Sequence, residues 1–324
     1  MGISNIKNKI KSPLNKTIDF DINSYDYKKY IKNCIIDDDK IFNYNFYKIK
    51  NKIINGDTFR VLKKIEKNIV DLLIVDPPYN ISKNYNGYQF NEKDSIEYEK
   101  YTINWIEAVL PLLKNNSSIY VCCDWKSSLI IGSILSKYFI IQNRITWQRE
   151  KGRGAKKNWK NSMEDIWFCT MSNNYTFNID NVKMRRKVIA PYKENGIPKD
   201  WVETENGKFR DTYPSNFWDD ISIPYWSMPE NTAHPTQKPE KLIAKLILAS
   251  SNKNDFIFDP FNGSGTTSVV AKKLGRNYSG IEQNQLYCSW AEYRLKSADT
   301  NKNIQGYEDN IFWERNSIKF NKVK

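Results

Sequence analysis

An acid, two prolines and an aromatic residue stand together in residues 71–80, DLLIVDPPYN. The first half is a short apolar run of the length of a buried strand, and Pro77 and Pro78 end it after Asp76 because proline has a fixed φ and no amide hydrogen. The Asp76 carboxylate and the Pro77 carbonyl can accept both hydrogens of an exocyclic amine, while Tyr79 stacks on the ring that carries it. The segment therefore predicts a pocket for a flat base, with an ordinary Asp-Pro turn and a packed tyrosine as the alternative.

Another set of binding groups follows a second apolar strand, in residues 259–267, DPFNGSGTT. Gly263 and Gly265 let the backbone approach a ligand closely, and the helix that opens at Thr266 offers free amides to a carboxylate. The next strand ends at Glu282, close to the spacing from which an acid binds the two ribose hydroxyls of a nucleoside. The segment has neither the GxGxxG pattern nor the GKS or GKT ending of a phosphate-binding loop. It therefore favours S-adenosylmethionine over NAD or ATP, with another nucleoside cofactor as the alternative.

Alternating strands and helices must position these two segments. Residues 46–57 predict a short strand and a turn before a helix, in which Asp57 is either the N-terminal cap or a ligand-facing acid. Residues 97–113 have helical spacing, residues 117–124 form the next buried strand, and residues 127–138 return as a helix. Strand, helix, strand and helix in succession predict an α/β fold with a parallel sheet.

Two further segments flank the predicted sites. Residues 81–94 are polar and carry Tyr85 and Tyr88, which is typical of a mobile loop that closes over a bound base and also of a tethered surface loop. The segment HPTQKPEKL, residues 234–242, predicts a helix from about Pro239, because proline is favoured at the start of a helix.

The α/β rhythm breaks down between about residues 141 and 226. Basic, aromatic and glycine residues mix there, which provides phosphate contacts, stacking and close backbone approach together. This mixture favours contact with nucleic acid over a solvated basic face. The residues expected to make that contact are Arg144, Arg149, Lys151, Arg153, Lys156, Lys157 and Lys160. A weaker basic cluster consists of Lys183, Arg185, Arg186 and Lys187.

The charge of the chain agrees with a polyanionic partner. Its 324 residues include 50 Lys and Arg against 37 Asp and Glu, a formal net charge of +13. Five cysteines without CxxC spacing and a single histidine, His234, disfavour a zinc site and a histidine-based dyad, and the scattered thiols indicate a reduced, cytosolic protein. The sequence contains no long apolar run and no signal-peptide core, so we expect no membrane association.

The segments DPPYN, HPTQKPEKL and DPFNGSGTT, in this order, resemble the DNA amino-methyltransferases of restriction-modification systems, in the motif order of their beta group. The resemblance covers roughly residues 47–296. It implies a Rossmann-like methyltransferase fold, with a mixed, mostly parallel sheet that has one antiparallel strand, a circularly permuted order and an inserted target-recognition region. The implied parts are an N-terminal extension (1–45), a catalytic half (46–140), a target-recognition insert (141–230), a cofactor-binding half (231–298) and a C-terminal tail (299–324).

The same resemblance implies roles for individual residues. Asp57 would face the adenine end of S-adenosylmethionine, and His234 would be structural. The residues that would hold an extrahelical target base are Asp76, Pro77, Pro78 and Tyr79. The residues that would contact the rest of the cofactor are Asp259, Phe261, Gly263, Ser264, Gly265 and Thr266 on its methionine side, Glu282 at its ribose, and Thr236, Gln237 and Lys238 at its carboxylate.

The implied reaction is methyl transfer from S-adenosylmethionine to the N6 amine of adenine in double-stranded DNA, without a metal. An acid at Asp76 resembles the adenine enzymes, whereas serine is usual there in cytosine-N4 enzymes, which are the alternative. A C5-cytosine enzyme is disfavoured because no cysteine follows a proline. An RNA or protein methyltransferase and a non-catalytic DNA-binding protein stay open. The resemblance allows a cognate restriction endonuclease as a partner, either a monomer or a homodimer, and a cytoplasmic location.

Overall fold

Strands and helices alternate along the computed structural model, which describes residues 12–149, 157–189, 192–204 and 207–314. The strands, in chain order, are β1 (Ile35–Ile36), β2 (Lys52–Asn55), β3 (Val70–Val75), β4 (Lys83–Tyr85), β5 (Tyr88–Phe90), β6 (Leu113–Cys123), β7 (Ile140–Gln148), β8 (Met163–Thr170), β9 (Met184–Lys187), β10 (Lys193–Glu194), β11 (Ile197–Pro198), β12 (Val202–Thr204), β13 (Gly207–Thr212), β14 (Phe217–Trp218), β15 (Phe256–Asp259), β16 (Asn277–Glu282), β17 (Tyr307–Glu308) and β18 (Ile311–Trp313). The helices are α1 (Tyr25–Tyr30), α2 (Phe46–Ile49), α3 (Thr58–Leu62), α4 (Ser95–Val109), α5 (Trp125–Tyr138), α6 (Glu240–Ser250), α7 (Thr266–Lys273) and α8 (Gln285–Ser297). None of these helices is long and apolar enough to cross a membrane.

Nine strands of the described residues form one mixed sheet, in the order β1-β2-β16-β15-β3-β6-β8-β7-β14. Neighbouring strands are parallel, except that β8 runs antiparallel to both β6 and β7. The predicted α/β fold, with a mostly parallel sheet and one antiparallel strand, is confirmed.

The centre of this sheet brings the two predicted sites together. β15 lies next to β3 and parallel to it, with Ile257 opposite Leu72 and Phe258 opposite Leu73. The carboxyl ends of both strands therefore meet at one edge of the sheet, although a long stretch of sequence separates them. Ligands of open α/β sheets bind at that edge.

The central strands are buried on both faces, as expected for a parallel sheet that lies between two layers of helices. Leu72 and Ile74 of β3 pack in the layer that contains α6 and α7, whereas Leu73 and Val75 pack in the layer that contains α4 and α5. Every residue of α6 is buried. Since each buried aliphatic side chain contributes about 1.5–3 kcal/mol, these two layers hold the strand ends in fixed positions.

The main sheet extends into the range predicted to be the insert. The alternation of strands and helices does stop there, since no α-helix of the described residues lies between α5 and α6, but the sequence pattern did not reveal that β7, β8 and β14 pair in this sheet. The cause is the composition of β7, which buries chiefly Ile145 and Trp147 and carries basic and polar residues between and before them. Apolar alternation is therefore weak there. A functional boundary near residue 141 stays a prediction.

A second sheet joins the insert to the end of the chain. Its strand order is β12-β13-β9-β18-β17, and β18 pairs parallel to β9 with Phe312 opposite Met184. The segment predicted to be a C-terminal tail thus contributes two strands, as far as Trp313, to the sheet of the insert.

The N-terminal extension, in its described part, lies on the core. The indole nitrogen of Trp290 in α8 donates a hydrogen bond to the Phe20 carbonyl at 3.1 Å, and β1 pairs with β2 at the edge of the main sheet.

The segment predicted to be a loop after the DPPY motif contains a β-hairpin. β4 and β5 are joined by Asn86 and Gly87, whose φ angles are 53° and 96°. Positive φ at both turn residues is the type I′ geometry that Asn-Gly favours.

Candidate active site

One pocket of about 270 Å³ opens at the carboxyl edge of β3, β15 and β16. Both predicted sites share this pocket, although Gly265 does not line it. The predicted residues that line it are Asp57, Asp76, Pro77, Pro78, Tyr79, Thr236, Gln237, Lys238, Asp259, Phe261, Gly263, Ser264, Thr266 and Glu282.

Asp76 follows β3 directly and belongs to a largely buried charge network. The Lys238 ammonium lies 2.7 Å from each oxygen of the Asp76 carboxylate and 3.3 Å from Glu164 Oε2. The Tyr79 hydroxyl lies 3.0 Å from Asp76 Oδ1 and 3.1 Å from Glu164 Oε2. Desolvation raises the pKa of the Asp76 carboxyl, and the Lys238 ammonium opposes that effect. Both contacts with Lys238 are as short as those of an ion pair, so the ammonium stabilises the ionised form of Asp76.

Lys238 lines the pocket, and its ammonium pairs with Asp76. Its contact with the cofactor's carboxylate stays a prediction. A buried ammonium requires a counter-ion. Desolvation opposes the charge of Lys238, but Asp76 and Glu164 outweigh it and raise the pKa of the ammonium above its usual value.

Gln237 uses its side-chain amide to hold the loop before α6. Its Oε1 accepts the Thr232 amide hydrogen at 2.9 Å, and its Nε2 donates to the Glu230 carbonyl at 2.8 Å. The amide therefore keeps the Lys238 backbone next to the pocket, and both of these hydrogen bonds are made within the loop.

Glu164 of β8 is a member of the network that the sequence did not reveal. Its side chain is 3% exposed, and its Oε1 lies 2.9 Å from Nη1 of Arg149. A signal was present in the sequence, because Glu164 and Asp165 stand side by side at the start of an apolar strand. Carboxylates are rarely buried unless they are paired, so such acids imply partners.

The glycine turn between β15 and α7 is held by the acids of two neighbouring strands. Asp259 Oδ2 accepts the Thr267 hydroxyl at 2.7 Å, and its Oδ1 accepts the Phe261 amide at 3.0 Å. The Gly263 amide donates to Glu282 Oε2 at 2.9 Å, and φ at Gly263 is 51°, which favours glycine. The turn is therefore preformed.

Gly265 has a packing role in this turn. It precedes α7 with φ 81°, and a Cβ at this position would lie 2.5 Å from Cβ of Ala291 in α8. The absence of a side chain thus allows α8 to pack directly against the turn, while the neighbouring residues border the pocket.

Glu282 ends β16 with both carboxylate oxygens anchored. Oε2 accepts the Gly263 amide at 2.9 Å, and Oε1 accepts the Asn284 amide at 2.7 Å. Desolvation raises the pKa of the Glu282 carboxyl to about 7, although these amides oppose it. A carboxylate has about four acceptor sites, so Glu282 keeps capacity for a hydroxyl group of a ligand beside these amides.

Asp57 caps a helix and also borders the pocket. Its Oδ1 accepts the Arg60 amide at 2.9 Å at the start of α3, which is the capping role that the sequence indicates. Beside it lie Phe59, Phe90 and Tyr101, which were not predicted to line the pocket. These rings form an apolar wall suited to a flat heterocycle.

The hairpin of β4 and β5 is tied to the end of β16. Tyr85 and Tyr88 line the pocket. The Asn284 side-chain amide donates to the Tyr85 carbonyl at 3.2 Å, and the Tyr88 hydroxyl donates to the Gln283 carbonyl at 3.5 Å. These contacts place the hairpin next to the acid that ends β16.

His234 lies beside the glycine turn as a neutral ring. Its Nδ1 accepts the Thr236 amide at 3.3 Å, and its ring packs edge-on against Tyr287 at 4.5 Å. Desolvation lowers the pKa of His234 to about 3, and the charge of Lys238 adds to this effect. These contacts support the structural role that was expected.

The chain matches the model of a protein family described as DNA methylase over residues 70–293. The chain belongs to this family. It is 34% identical over 264 residues to the type II methyltransferase M1.MboII of Moraxella bovis, which covers 78% of this chain and 98% of that protein. It is 36% identical over 257 residues to the DNA adenine methyltransferase YhdJ of Escherichia coli strain K12, which covers 76% of this chain and 83% of that protein. The Thermus thermophilus protein TTHA0409, solved in complex with S-adenosyl-L-methionine, shares the fold at a TM-score of 0.52 and 20% identity. The match covers 77% of this chain and 96% of that one.

Two of the basic residues predicted to contact DNA have acidic partners in this DNA methylase. Arg149 pairs with Glu164 at 2.9 Å, and Arg144 lies 3.8 Å from Asp165. Their side chains are therefore partly neutralised at the base of the β7–β8 connection. In that connection Lys157 is exposed and Lys160 is half-buried. The predicted residues that lie outside the described part of the chain are Lys151, Arg153 and Lys156.

The weaker basic cluster of this DNA methylase is also paired with acids. Arg185 makes two hydrogen bonds to Asp211, at 2.8 and 2.7 Å, and Arg186 pairs with Glu314 at 2.9 Å. These pairs lower the net charge of the second sheet, so it is the less favourable place for phosphate contacts.

Proposed function

We propose that this DNA methylase transfers the methyl group of S-adenosylmethionine to the N6 amine of an adenine that is turned out of double-stranded DNA. The observation that carries the proposal is the single pocket that both Asp76 and Glu282 line. The pocket offers adjacent sites for an amine and for a nucleoside. Transfer between two bound molecules requires that adjacency.

The residues around the glycine turn fit S-adenosylmethionine. Glu282 would accept the two ribose hydroxyls, and the free amides at the start of α7 would bind the carboxylate. Asp57 and the aromatic wall beside it would take the adenine. When bound, the cofactor supplies a methyl group on a positively charged sulfur.

Asp76 and the Pro77 carbonyl would bind the two hydrogens of the target amine. The lone pair of an aromatic amine is delocalised into the ring, so the amine is a poor nucleophile. Two acceptors on its hydrogens favour a more tetrahedral nitrogen with an available lone pair. The methyl–sulfur bond would break as the new N–C bond forms, so positive charge would pass to this nitrogen, where the Asp76 carboxylate would stabilise it. The nitrogen would then lose one proton, which that carboxylate can accept. Positioning and electrostatics would therefore supply most of the rate.

Tyr79 would hold the ring of the target base. The amine is inaccessible in a duplex, so the base must turn out at a cost of roughly a few kcal/mol. Stacking of a base on an aromatic ring contributes about 1–3 kcal/mol and offsets part of this cost. Asp76 and Glu164 fix the Tyr79 hydroxyl and thereby orient its ring.

Two observations favour adenine over cytosine as the target. The acid at Asp76 resembles the adenine enzymes, and the relative at 36% identity is named an adenine methyltransferase. Cytosine N4 is the second candidate because cytosine presents a similar amine.

The type II designation of M1.MboII supports a role as the modification enzyme of a restriction-modification system, with a cognate endonuclease as its counterpart.

Analysis of the modified nucleosides tests the proposal. The purified protein is incubated with methyl-labelled S-adenosylmethionine and unmethylated genomic DNA, and the DNA is digested and its nucleosides are separated. We expect the label in N6-methyladenine. Label in N4-methylcytosine would replace the proposal by the second candidate, and label in RNA or protein but not in DNA would contradict it.

A further inference from the structure

We propose that Glu164 is a positioning residue that takes over the ammonium of Lys238 when the amine of the target base binds Asp76. The inference rests on the proposed function, because it concerns the acceptor side of the same pocket.

The acceptor sites of Asp76 are mostly occupied in the structure. A carboxylate has about four such sites, two on each oxygen. Oδ1 receives Lys238 at 2.7 Å and Tyr79 at 3.0 Å, and Oδ2 receives Lys238 at 2.7 Å. One site on Oδ2 stays available to an amine hydrogen, but the amine then shares the Asp76 carboxylate with the ammonium.

Glu164 is the acceptor to which the ammonium can move. Its Oε2 lies 3.3 Å from Lys238 Nζ, so a small rotation of the lysine chain brings the two atoms into a short hydrogen bond. Arg149 holds Oε1 at 2.9 Å, which leaves Oε2 directed towards Lys238 and Tyr79. Glu164 is 3% exposed, so there is little access for solvent to provide the same acceptor.

The Tyr79 hydroxyl permits the same exchange. It lies 3.0 Å from Asp76 Oδ1 and 3.1 Å from Glu164 Oε2, but it has one hydrogen and donates to one carboxylate at a time. Two arrangements of the network follow. In one, the ammonium and the hydroxyl are bound to Asp76, and in the other they are turned to Glu164 and leave Asp76 open to the amine.

The charges favour the second arrangement once the base is bound. An ammonium that shares Asp76 with the amine would oppose the positive charge that appears on the amine nitrogen. With Lys238 paired to Glu164, the Asp76 carboxylate faces the amine alone, and the lysine still has a counter-ion. Glu164 thus acts on the reaction through Lys238.

Glu164→Gln tests the inference, because glutamine keeps the size of the side chain and removes the charge that attracts the ammonium. We expect the single-turnover rate of methyl transfer, at saturating DNA and cofactor, to fall by about tenfold or more. The Kd for S-adenosylmethionine, measured by calorimetry, should change by less than about twofold. Asp165→Asn is the matched control. Asp165 is the next residue of the same strand and equally buried, but its side chain accepts the Thr146 hydroxyl at 3.1 Å on the other face, so we expect a wild-type rate.

A second comparison separates this role from a general loss of structure. In a Lys238→Met background there is no ammonium to move, so adding Glu164→Gln should lower the rate no further. Labelled cofactor and incubation for hours keep a small residual rate measurable, and cofactor affinity verifies the fold of each variant. A wild-type rate for Glu164→Gln, or the same fold loss in both backgrounds, would overturn the inference while the proposed function stands. Wild-type protein that methylates no DNA would overturn both.

Discussion

At the scale of single residues, the pocket is lined by the carboxyl groups of Asp76, Asp259 and Glu282, whose surroundings shift their pKa values. Desolvation raises the pKa of Asp76 against the opposing charge of Lys238, and it raises the pKa of both Asp259 and Glu282 to about 7. Carboxyl groups with such shifted pKa values, grouped in one cleft, are typical of functional sites. Each of these acids stands at the end of a strand, where a ligand can reach it.

The raised pKa of Glu282 predicts that cofactor affinity depends on pH. Only the ionised carboxylate can accept two ribose hydroxyls, so binding favours loss of the proton. Since the carboxyl of the free protein titrates near pH 7, it is mostly protonated at pH 6 and mostly ionised at pH 8. The Kd for S-adenosylmethionine should therefore be about tenfold higher at pH 6 than at pH 8, as measured by calorimetry.

Two variants isolate this effect. Glu282→Gln should bind the cofactor weakly and lose most of the pH dependence. Glu292 of α8 also has a pKa raised to about 7 by burial but does not line the pocket, so Glu292→Gln should keep the wild-type dependence. An equal flattening in both variants would show that the titration seen in binding does not belong to Glu282.

The close approach of α8 to the glycine turn predicts a stability difference between two glycines. An alanine at position 265 would have a strained φ of 81° and a Cβ 2.5 Å from Ala291, whereas one at position 275 would have a φ of 75° and no atom within 4 Å. Gly275→Ala should lower the free energy of unfolding by about 1 kcal/mol through strain alone. Gly265→Ala should cost about 1–3 kcal/mol more through overlap. Urea unfolding measures both, and equal losses would show that the overlap is relieved at no cost.

The sequence predicts that a residue lies in the pocket only where a local pattern marks that residue. Asp76 and Gly263 follow apolar runs at a turn, Glu282 ends the next strand, and the structure brings all three to one pocket. The contacts of Glu164 and Lys238 could not be predicted in this way. Ion pairs between three segments far apart in sequence leave no periodic signal, and they arise only when the sheet places β3, β8 and the loop before α6 together.

At the scale of elements, the sequence predicted the strands and helices at the centre of the main sheet. It did not predict the strands near the edge of that sheet. β3 and β15 are mostly apolar runs that lead into an acid and a proline, β16 ends in an acid, and α6 begins directly after Pro239 as the sequence indicated. β7 lies near the edge of the sheet and buries few side chains, so its polar composition concealed a strand. Burial on both faces produces the pattern that sequence analysis detects.

We expect the lysines in the connection between β7 and β8 to contribute to DNA affinity. Replacing Lys157 and Lys160 together with alanine should weaken binding to all DNA sequences and reduce the salt dependence of log K by about 2, because about one phosphate contact is lost for each lysine. Titrations of labelled DNA at several salt concentrations provide the slope.

Arg185→Ala is the comparison for these lysines. Its guanidinium already pairs with Asp211 through two hydrogen bonds, so the salt slope should stay at the wild-type value. A larger change of slope for Arg185→Ala than for the double lysine variant would move the DNA contact from the connection to the second sheet.

At the scale of the whole molecule, the order of the strands in the main sheet brings two distant segments of the chain to one pocket. β3 comes early in the chain and β15 late, and the sheet places them side by side, so the turn after Asp76 and the glycine turn share one edge. The sequence predicted this arrangement through the resemblance of three motifs in their order. It did not predict that the C-terminal strands complete the sheet of the insert, because β17 and β18 are too short to give a pattern.

Comparison of cofactor binding and methyl transfer in Asp76→Asn tests the central claim, that Asp76 holds the amine in a pocket shared with the cofactor. Asparagine keeps the shape of the side chain and removes its charge. We expect the Kd for S-adenosylmethionine to stay within about twofold of the wild-type value, since its predicted contacts lie on the other side of the pocket. Methyl transfer to DNA should fall by about 100-fold or more. A methylation rate close to that of the wild type would contradict the account.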